Sequence, residues 1–158
     1  MRIAWLRDHP QHIDALAAAH VQAFGALLPD WTVEQGIAEL RSQLDGQPIP
    51  ATLLALDAGG DWLGSVSLLH EDHERIRQYS PCLASPYVRR EARGRGVGAA
   101  LVARCVAEAS AAGVTRLYLY CTMPLAGYYR ALGWREHDRV SFGPLHLVVM
   151  AVDCRTPA

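Results

Sequence analysis

The chain has 158 residues, 51% hydrophobic and 20% charged, with a formal net charge of −1. These values are ordinary for one globular domain and exclude disorder, a collagen-like repeat and a disulfide-dependent mini-scaffold. All 15 basic residues are Arg, which excludes a lysine Schiff base and a P-loop lysine, and the near-neutral balance argues against a chain-wide grip on nucleic acid or an anionic membrane surface.

In chain order, residues 2–6 alternate weakly and read as a first strand. Asp8 is placed to cap a helix opening near Pro10, with Ile13, Leu16, Ala17, His20, Val21 and Phe24 at helical spacing as far as Gly25. After a loop with Pro29, Thr32-x-x-Gln35 is a capping-box pattern for a second helix to about Leu44, ended by Gly46 and Pro48. Thr52–Leu56 and Trp62–Leu69 read as strands joined by the turn Asp57-Ala58-Gly59-Gly60-Asp61. Residues 70–80 are polar and loop-like. Cys82–Val88 reads as a strand whose Ser85-Pro86 step suits a bulge or an edge, because Pro donates no ladder hydrogen bond.

Gly94–Gly98 is a tight turn. A helix with the apolar stripe Val97, Leu101, Val102, Cys105, Val106 and Ala109 follows, closed by Gly113. Thr115–Cys121 is a strand. Pro124 opens a helix that Gly133 stops, and Trp134–Val140 with Leu145–Val152 forms a closing antiparallel pair. The strand–helix–strand crossover over residues 82–121 implies a parallel strand pair, while the hairpins on either side are antiparallel. The fold class is therefore α/β: a mixed, mostly antiparallel sheet with a central parallel pair and helices on both faces, in a single domain over residues 1–154.

No apolar run approaches the ~20 residues of a membrane span. The opening Met1–Asp8 has no apolar core ahead of its charges, so a secretory signal is not expected. Cys82, Cys105, Cys121 and Cys154 fit no zinc spacing and read as reduced thiols of a cytoplasmic protein. The charge is uneven: residues 1–86 hold five Arg and eleven Asp/Glu, and residues 87–158 hold ten Arg and five Asp/Glu. Such a split suggests two differently charged ligand surfaces.

The most informative segment is Arg93-Gly94-Arg95-Gly96-Val97-Gly98, between a strand and a helix. Its glycines let successive N–H groups point into one concavity, and the helix start adds unpaired N–H groups and a positive dipole end. This is a site for phosphate or pyrophosphate, deepened by Arg89, Arg90, Arg93 and Arg95 against Glu91. Gly94-x-Gly96-x-x-Ala99 formally fits a dinucleotide fingerprint. That motif needs an acid about 20 residues on, and no Asp or Glu stands between Glu108 and Glu136.

Arg93-x-x-Gly96-x-Gly98 resembles the Arg/Gln-x-x-Gly-x-Gly/Ala signature of the GNAT superfamily of N-acetyltransferases, and Tyr87–Leu101 is similar to the longer segment around it. Arg90 stands where the family usually has Pro, and Ala92 replaces an aromatic or polar residue. Gly127-Tyr128-Tyr129-Arg130-Ala131-Leu132-Gly133-Trp134 is similar to the family's "F-Y-x-x-L-G-F" motif. The resemblance covers residues 52–152; before them only the helix order matches.

The resemblance implies that acetyl-coenzyme A is the co-substrate, lying between the strands Cys82–Val88 and Thr115–Cys121 where they splay apart. It implies main-chain contacts from Tyr87 and Val88, pyrophosphate on the N–H groups of Gly94, Arg95, Gly96, Val97, Gly98 and Ala99, added charge from Arg93 and Arg95, and a further cofactor contact from Tyr128. A backbone N–H near Val88 would stabilise the oxyanion. Tyr129, four residues before Gly133, would protonate the departing thiolate; a phenol of ordinary pKa near 10 suits a thiol near 8.5. Some members carry a glutamate base on the first splayed strand, where this chain has Cys82. Glu71 or Asp72, in His70-Glu71-Asp72-His73-Glu74 after Leu69, is then the candidate proton acceptor.

The His70-x-x-His73 pair has no third ligand at a telling spacing, so no metal is expected. The acidic first half would face a cationic amine such as an aminoglycoside, a polyamine or a protein N-terminus. Late strands of such sheets can pair between subunits, which is compatible with a homodimer. Two other functions fit the residues less well. One is a catalytically silent acyl-coenzyme A-binding regulator on the same fold; the other is a nucleic-acid module using Arg89–Arg95.

Overall fold

The computed structural model describes residues 1–25, 30–71 and 77–155, apart from the side chain of Phe142. The loop around Pro29 and the residues Asp72, His73 and Glu74 lie outside them. The described strands are β1 (Arg2–Trp5), β2 (Ala51–Leu56), β3 (Trp62–Leu69), β4 (Cys82–Val88), β5 (Arg116–Thr122), β6 (Arg135–Phe142) and β7 (Leu145–Asp153). They form one sheet in the order β1-β2-β3-β4-β5-β7-β6. Every neighbouring pair is antiparallel except β4 and β5, which are parallel. This is the mixed sheet that the order of elements implies. The described helices are α1 (Ile13–Phe24), α2 (Val33–Arg41), α3 (Val97–Ala111) and α4 (Met123–Ala131).

Strand alternation sorts the core into two layers. Leu53 and Ala55 of β2 turn to the face covered by α3 and α4, where they meet Leu101, Cys105, Leu117, Tyr129 and Met150. Leu54 and Leu56 turn to the opposite face, against Ile13, Leu16 and Ala17 of α1 and Leu40 of α2. Ile13, Leu16 and Leu54 are wholly enclosed, and each such side chain contributes about 1.5–3 kcal/mol relative to exposure. That is enough to dock a 12-residue helix whose own propensity is marginal.

Local signals account for most boundaries. Thr32 and Gln35 form the reciprocal capping box: the Gln35 N–H donates to Thr32 Oγ1 (3.1 Å) and the Thr32 N–H to Gln35 Oε1 (2.9 Å). Asp57 Oδ1 accepts from the N–H groups of Gly59 and Asp61 (2.9 and 3.0 Å) and sets the β2–β3 turn, where Gly60 takes φ +86. Asp8 does not cap α1. It lies inside a 3₁₀ turn, Leu6–Asp8, followed by a second, Pro10–His12, and α1 begins at Ile13 without a side-chain cap. The tight i→i+3 bonds from His9 to Leu6 (2.8 Å) and His12 to His9 (3.1 Å) occupy the backbone that an Asp8 cap would need. α2 likewise stops at Arg41, three residues short of Leu44, and continues as turns. There the side-chain amide oxygen of Gln43, Oε1, accepts a hydrogen bond from the Thr52 hydroxyl (2.6 Å).

Candidate active site

β4 and β5 touch as a ladder at a single position, Cys82 opposite Tyr118, where the Tyr118 N–H donates to the Pro81 carbonyl (3.1 Å). Beyond it β5 stays paired with β7 as far as Thr122, and β4 stays paired with β3 as far as Val88. The two strands therefore diverge toward their C-terminal ends and leave a wedge in the middle of the sheet.

A bulge shapes the β4 side of this wedge. Ser67 faces Ala84 but Ser65 faces Tyr87, so Ser85 and Pro86 together oppose Val66. Ser85 takes φ +52, the left-handed conformation that such bulges usually give to Gly. The extra residue reverses the strand's facing: Leu83 packs on the α3 side, while Tyr87 packs on the α1 side. The Arg89 N–H donates to the Leu63 carbonyl (2.8 Å), and the Tyr87 carbonyl oxygen would lie 2.6 Å from a Cβ on Gly64. Since successive residues of an antiparallel ladder turn their amide groups to opposite edges, the N–H and C=O of Val88 face the wedge. Of the two main chains expected to contact the coenzyme, that of Val88 turns its amide groups to the wedge and that of Tyr87 turns them to β3.

The glycine turn sits at the mouth of the wedge. Gly94 and Gly96 take φ +78 and +80, and Gly96 is the N-cap of α3 with no side-chain cap. The helix ladder starts with the Ala100 N–H on the Gly96 carbonyl (3.0 Å). The N–H groups of Val97, Gly98 and Ala99 are therefore outside it, as at any helix start. Val97 anchors this end with its buried side chain. A Cβ on Gly98 would lie 3.1 Å from Tyr128 Oη and 3.5 Å from Val88 Cγ2, so Gly98, Tyr128 and Val88 meet at one point.

The arginines of this segment divide their roles. Arg89 is ion-paired with Asp61 and Glu91 (both 3.1 Å) and stacks on Trp62. Arg93 folds back, its Nε donating to the Val88 carbonyl (2.9 Å). Arg90 and Arg95 are exposed and have no ion pair among the described residues. They carry the positive field at the cradle.

The two tyrosines of α4 part company. Tyr128 is 44% exposed with its hydroxyl over Gly98, whereas Tyr129 is 5% exposed, 6.3 Å from Trp134 ring to ring. Burial, with Cys121 and Tyr128 close by, holds the Tyr129 phenol well above its ordinary range, so it stays protonated at neutral pH. Burial also raises Tyr128.

Glu71 is not brought to the wedge. Leu69 pairs with Cys82, at the closed end of the parallel pair, and the five steps back to Gly64, the ladder partner of Val88, put Val88 about 17 Å from there. Glu71 follows Leu69 by two residues and forms an exposed ion pair with Arg77 (2.8 Å). The antiparallel register carries the end of β3 to the closed end of the parallel pair, so Glu71 is remote from Val88 and the glycine turn. An open groove of about 610 Å³, lined by Arg116, Tyr118, Asp153 and Arg155 among others, lies at that same closed end and has no glycine cradle. The residues that sequence reasoning did not assign to the site are His20 and Ser65, with His20 Nε2 3.0 Å from Ser65 Oγ beneath Tyr87. The only signal was the place of His20 on the apolar stripe of α1. Burial lowers its pKa to about 4, so it is neutral at pH 7. No group of three or more metal-ligating side chains occurs among the described residues.

The family model for the acetyltransferase (GNAT) family matches residues 13–134. The chain belongs to the GNAT acetyltransferase family. Among solved structures, the GNAT fold is shared with a ribosomal-protein-alanine N-acetyltransferase from Brucella melitensis, at 24% identity over 97% of this chain and 99% of that one (TM-score 0.74). An aminoglycoside 6'-acetyltransferase type Ii aligns over the whole of both chains at 17% identity (TM-score 0.75). The Salmonella typhimurium protein YncA, solved with its cofactor acetyl-coenzyme A, aligns over 100% of this chain and 96% of its own at 20% identity (TM-score 0.69). No curated protein matches the sequence closely enough to report. The described GNAT chain has no helix long and apolar enough to cross a membrane.

Proposed function

We propose that this GNAT domain, residues 1–154, transfers an acetyl group from acetyl-coenzyme A to a primary amine by direct attack of the amine. The observation that carries the reading is the meeting of three features at one point: the uncapped α3 start, the wedge between β4 and β5, and the Val88 N–H turned into it. The residues present fit the coenzyme. The N–H groups of Gly94, Arg95, Gly96, Val97, Gly98 and Ala99 would hold its pyrophosphate with the helix dipole behind them. Arg90 and Arg95 would add charge, and Arg93 would act through Val88. The coenzyme supplies the acetyl thioester. The Val88 N–H would donate a hydrogen bond to the reacting carbonyl oxygen and so stabilise the negative charge that develops there. Tyr129 would give a proton to the departing sulfur, a transfer that its burial makes harder than for a phenol of ordinary pKa, while the Tyr128 hydroxyl would steady the coenzyme beside Gly98. With Cys82 where some family members carry a glutamate, the acceptor would arrive as the free amine or lose its proton to water.

The acidic first half of the chain favours a cationic acceptor. An aminoglycoside and a protein N-terminal alanine, named for two fold neighbours, are both of that kind. The test has two arms. At a hundredfold excess over Kd, a ligand adds about 2.7 kcal/mol, which raises Tm by roughly 5–10 °C in a domain of this size. Acetyl-coenzyme A should do so while NAD and ATP do not; no shift at near-millimolar coenzyme refutes the reading. An amine panel assayed by free-thiol release then finds the acceptor.

The burial of Tyr129 and the absence of a carboxylate at Cys82 favour a second reading, a catalytically silent acyl-coenzyme A-binding regulator. Tyr129→Phe separates the two. Loss of turnover on the order of 10²-fold with coenzyme binding retained supports catalysis, and no turnover with any amine in either form supports the regulator.

A further inference from the structure

A row of planar groups runs along the α1 face of β3 and β4. The Tyr87 ring meets His20 edge-on (6.3 Å, 68°) and leans on Trp62 (6.0 Å, 37°), and the Arg89 guanidinium stands 4.8 Å over that same Trp62. Both ends of the row are tied down. His20 Nε2 lies 3.0 Å from Ser65 Oγ, and Ser65 faces Tyr87 across the ladder. Arg89 Nη1 donates to Asp61 Oδ2 (3.1 Å) and to the Trp62 carbonyl (3.0 Å), and its Nε pairs with Glu91 (3.1 Å).

The residues so held, Tyr87 and Arg89, are the two neighbours of Val88. At this point β4 has a ladder partner on one side only, and the bulge immediately before it interrupts even that ladder. A strand end of this kind can twist in a way that a doubly paired strand cannot. Clamping the side chains on either side of Val88 to one face removes that freedom, because its peptides cannot rotate without dragging a ring or a guanidinium off Trp62. Arg93, on the Val88 carbonyl, closes the frame from the opposite edge.

We infer that the row His20–Tyr87–Trp62–Arg89 is a positioning frame that holds the Val88 N–H on the reacting carbonyl, and that Arg89 is a positioning residue of the transfer and no part of the phosphate cradle. The inference rests on the proposed role of the Val88 N–H as the charge-stabilising donor. Arg89→Lys is a discriminating change, since it keeps the charge but loses the planar stack and the fork of donors. Trp62→Phe keeps a ring in the row and Trp62→Leu removes it.

Amide ¹⁵N–¹H spectra of the full chain, with and without saturating acetyl-coenzyme A, read the frame directly. In the unsubstituted chain the Val88 amide proton should move downfield on binding. In Arg89→Lys and Trp62→Leu that displacement should fall to half or less, while the calorimetric Kd for acetyl-coenzyme A changes less than threefold; Trp62→Phe should restore most of it. Full displacement in both variants overturns the frame. So does an Arg89→Lys spectrum disturbed throughout, with Val88 affected no more than its surroundings, because that is the mark of general loosening. A Val88 amide that ignores acetyl-coenzyme A in the unsubstituted chain overturns the donor reading itself, and the frame falls with it.

Discussion

Gly64→Ala sets two opposed effects against each other at the edge of the wedge. The φ of Gly64 lies outside the left-handed range, so Ala can adopt its backbone. By reducing the freedom of the unfolded chain, the change alone would stabilise by about 0.4–1 kcal/mol. The added Cβ, however, would sit 2.6 Å from the Tyr87 carbonyl oxygen, 3.2 Å from Val88 Cα and 3.3 Å from Leu101 Cδ1. The Leu101 methyl can move aside, but the carbonyl belongs to a paired strand and the overlap must be relieved by shifting β4 against β3. Overpacking of this kind costs about 1–3 kcal/mol, more than the entropic gain. Mid-range values leave a net cost of about 1.3 kcal/mol and a Tm lowered by roughly 3–5 °C at about 2–4 °C per kcal/mol, together with weaker turnover, because the displaced segment carries Val88. Differential scanning calorimetry of the purified variant measures it. A Tm equal to or above that of the parent would show that β3 and β4 are not in the close contact described, and the argument for the direction of the Val88 N–H would go with it.

Three further outcomes follow from the same geometry. Gly98→Ala places a Cβ 3.1 Å from the mobile Tyr128 hydroxyl and 3.5 Å from Val88 Cγ2. Stability should barely change, while acetyl-coenzyme A binding by calorimetry weakens about tenfold, the equivalent of one charge-assisted hydrogen bond at roughly 1.5 kcal/mol. Arg90→Ala combined with Arg95→Ala should weaken the same binding at low salt and flatten its salt dependence, leaving Tm within a degree or two. The neutral His20 gives a pH effect of definite sign. Its pKa falls from 6.5 to about 4 on folding, so the unfolded chain binds more protons between those values. The contribution, on the order of 3 kcal/mol, is complete above about pH 6.5 and is lost as pH falls toward 4. Urea unfolding at pH 7.0 and 4.5 should show a smaller pH dependence in the double variant His20→Phe, Ser65→Ala; an equal pH dependence would mean that His20 titrates alike in the folded and unfolded chain.

Much of the fold is carried by neighbours along the chain. The Thr32–Gln35 box, the Asp57 turn and the glycines at 94 and 96 each act within a few residues. The apolar stripe of α3 repeats with the period of a single helix. A pattern of that range can be read in one dimension, and so could the glycine turn before α3 and the parallel crossover. What lay beyond reach depends on how distant segments register. Pro86 marks the Ser85-Pro86 step as a bulge or an edge, but that Tyr87 then faces α1 depends on the register with β3. The distance of Glu71 from Val88 is another such case, because the antiparallel pairing of β3 with β4 carries Leu69 to the closed end. Arg89, Arg90, Arg93 and Arg95 look alike as a charged run, yet Trp62 and Asp61, on another strand and the turn before it, together with the neighbouring Glu91, take Arg89, and the end of β4 takes Arg93. The sequence alone therefore determined the elements and the chemistry available to them. Only tertiary packing decided which side chains face the wedge, because that depends on register and on partners remote in the chain, where a one-residue shift turns a strand over.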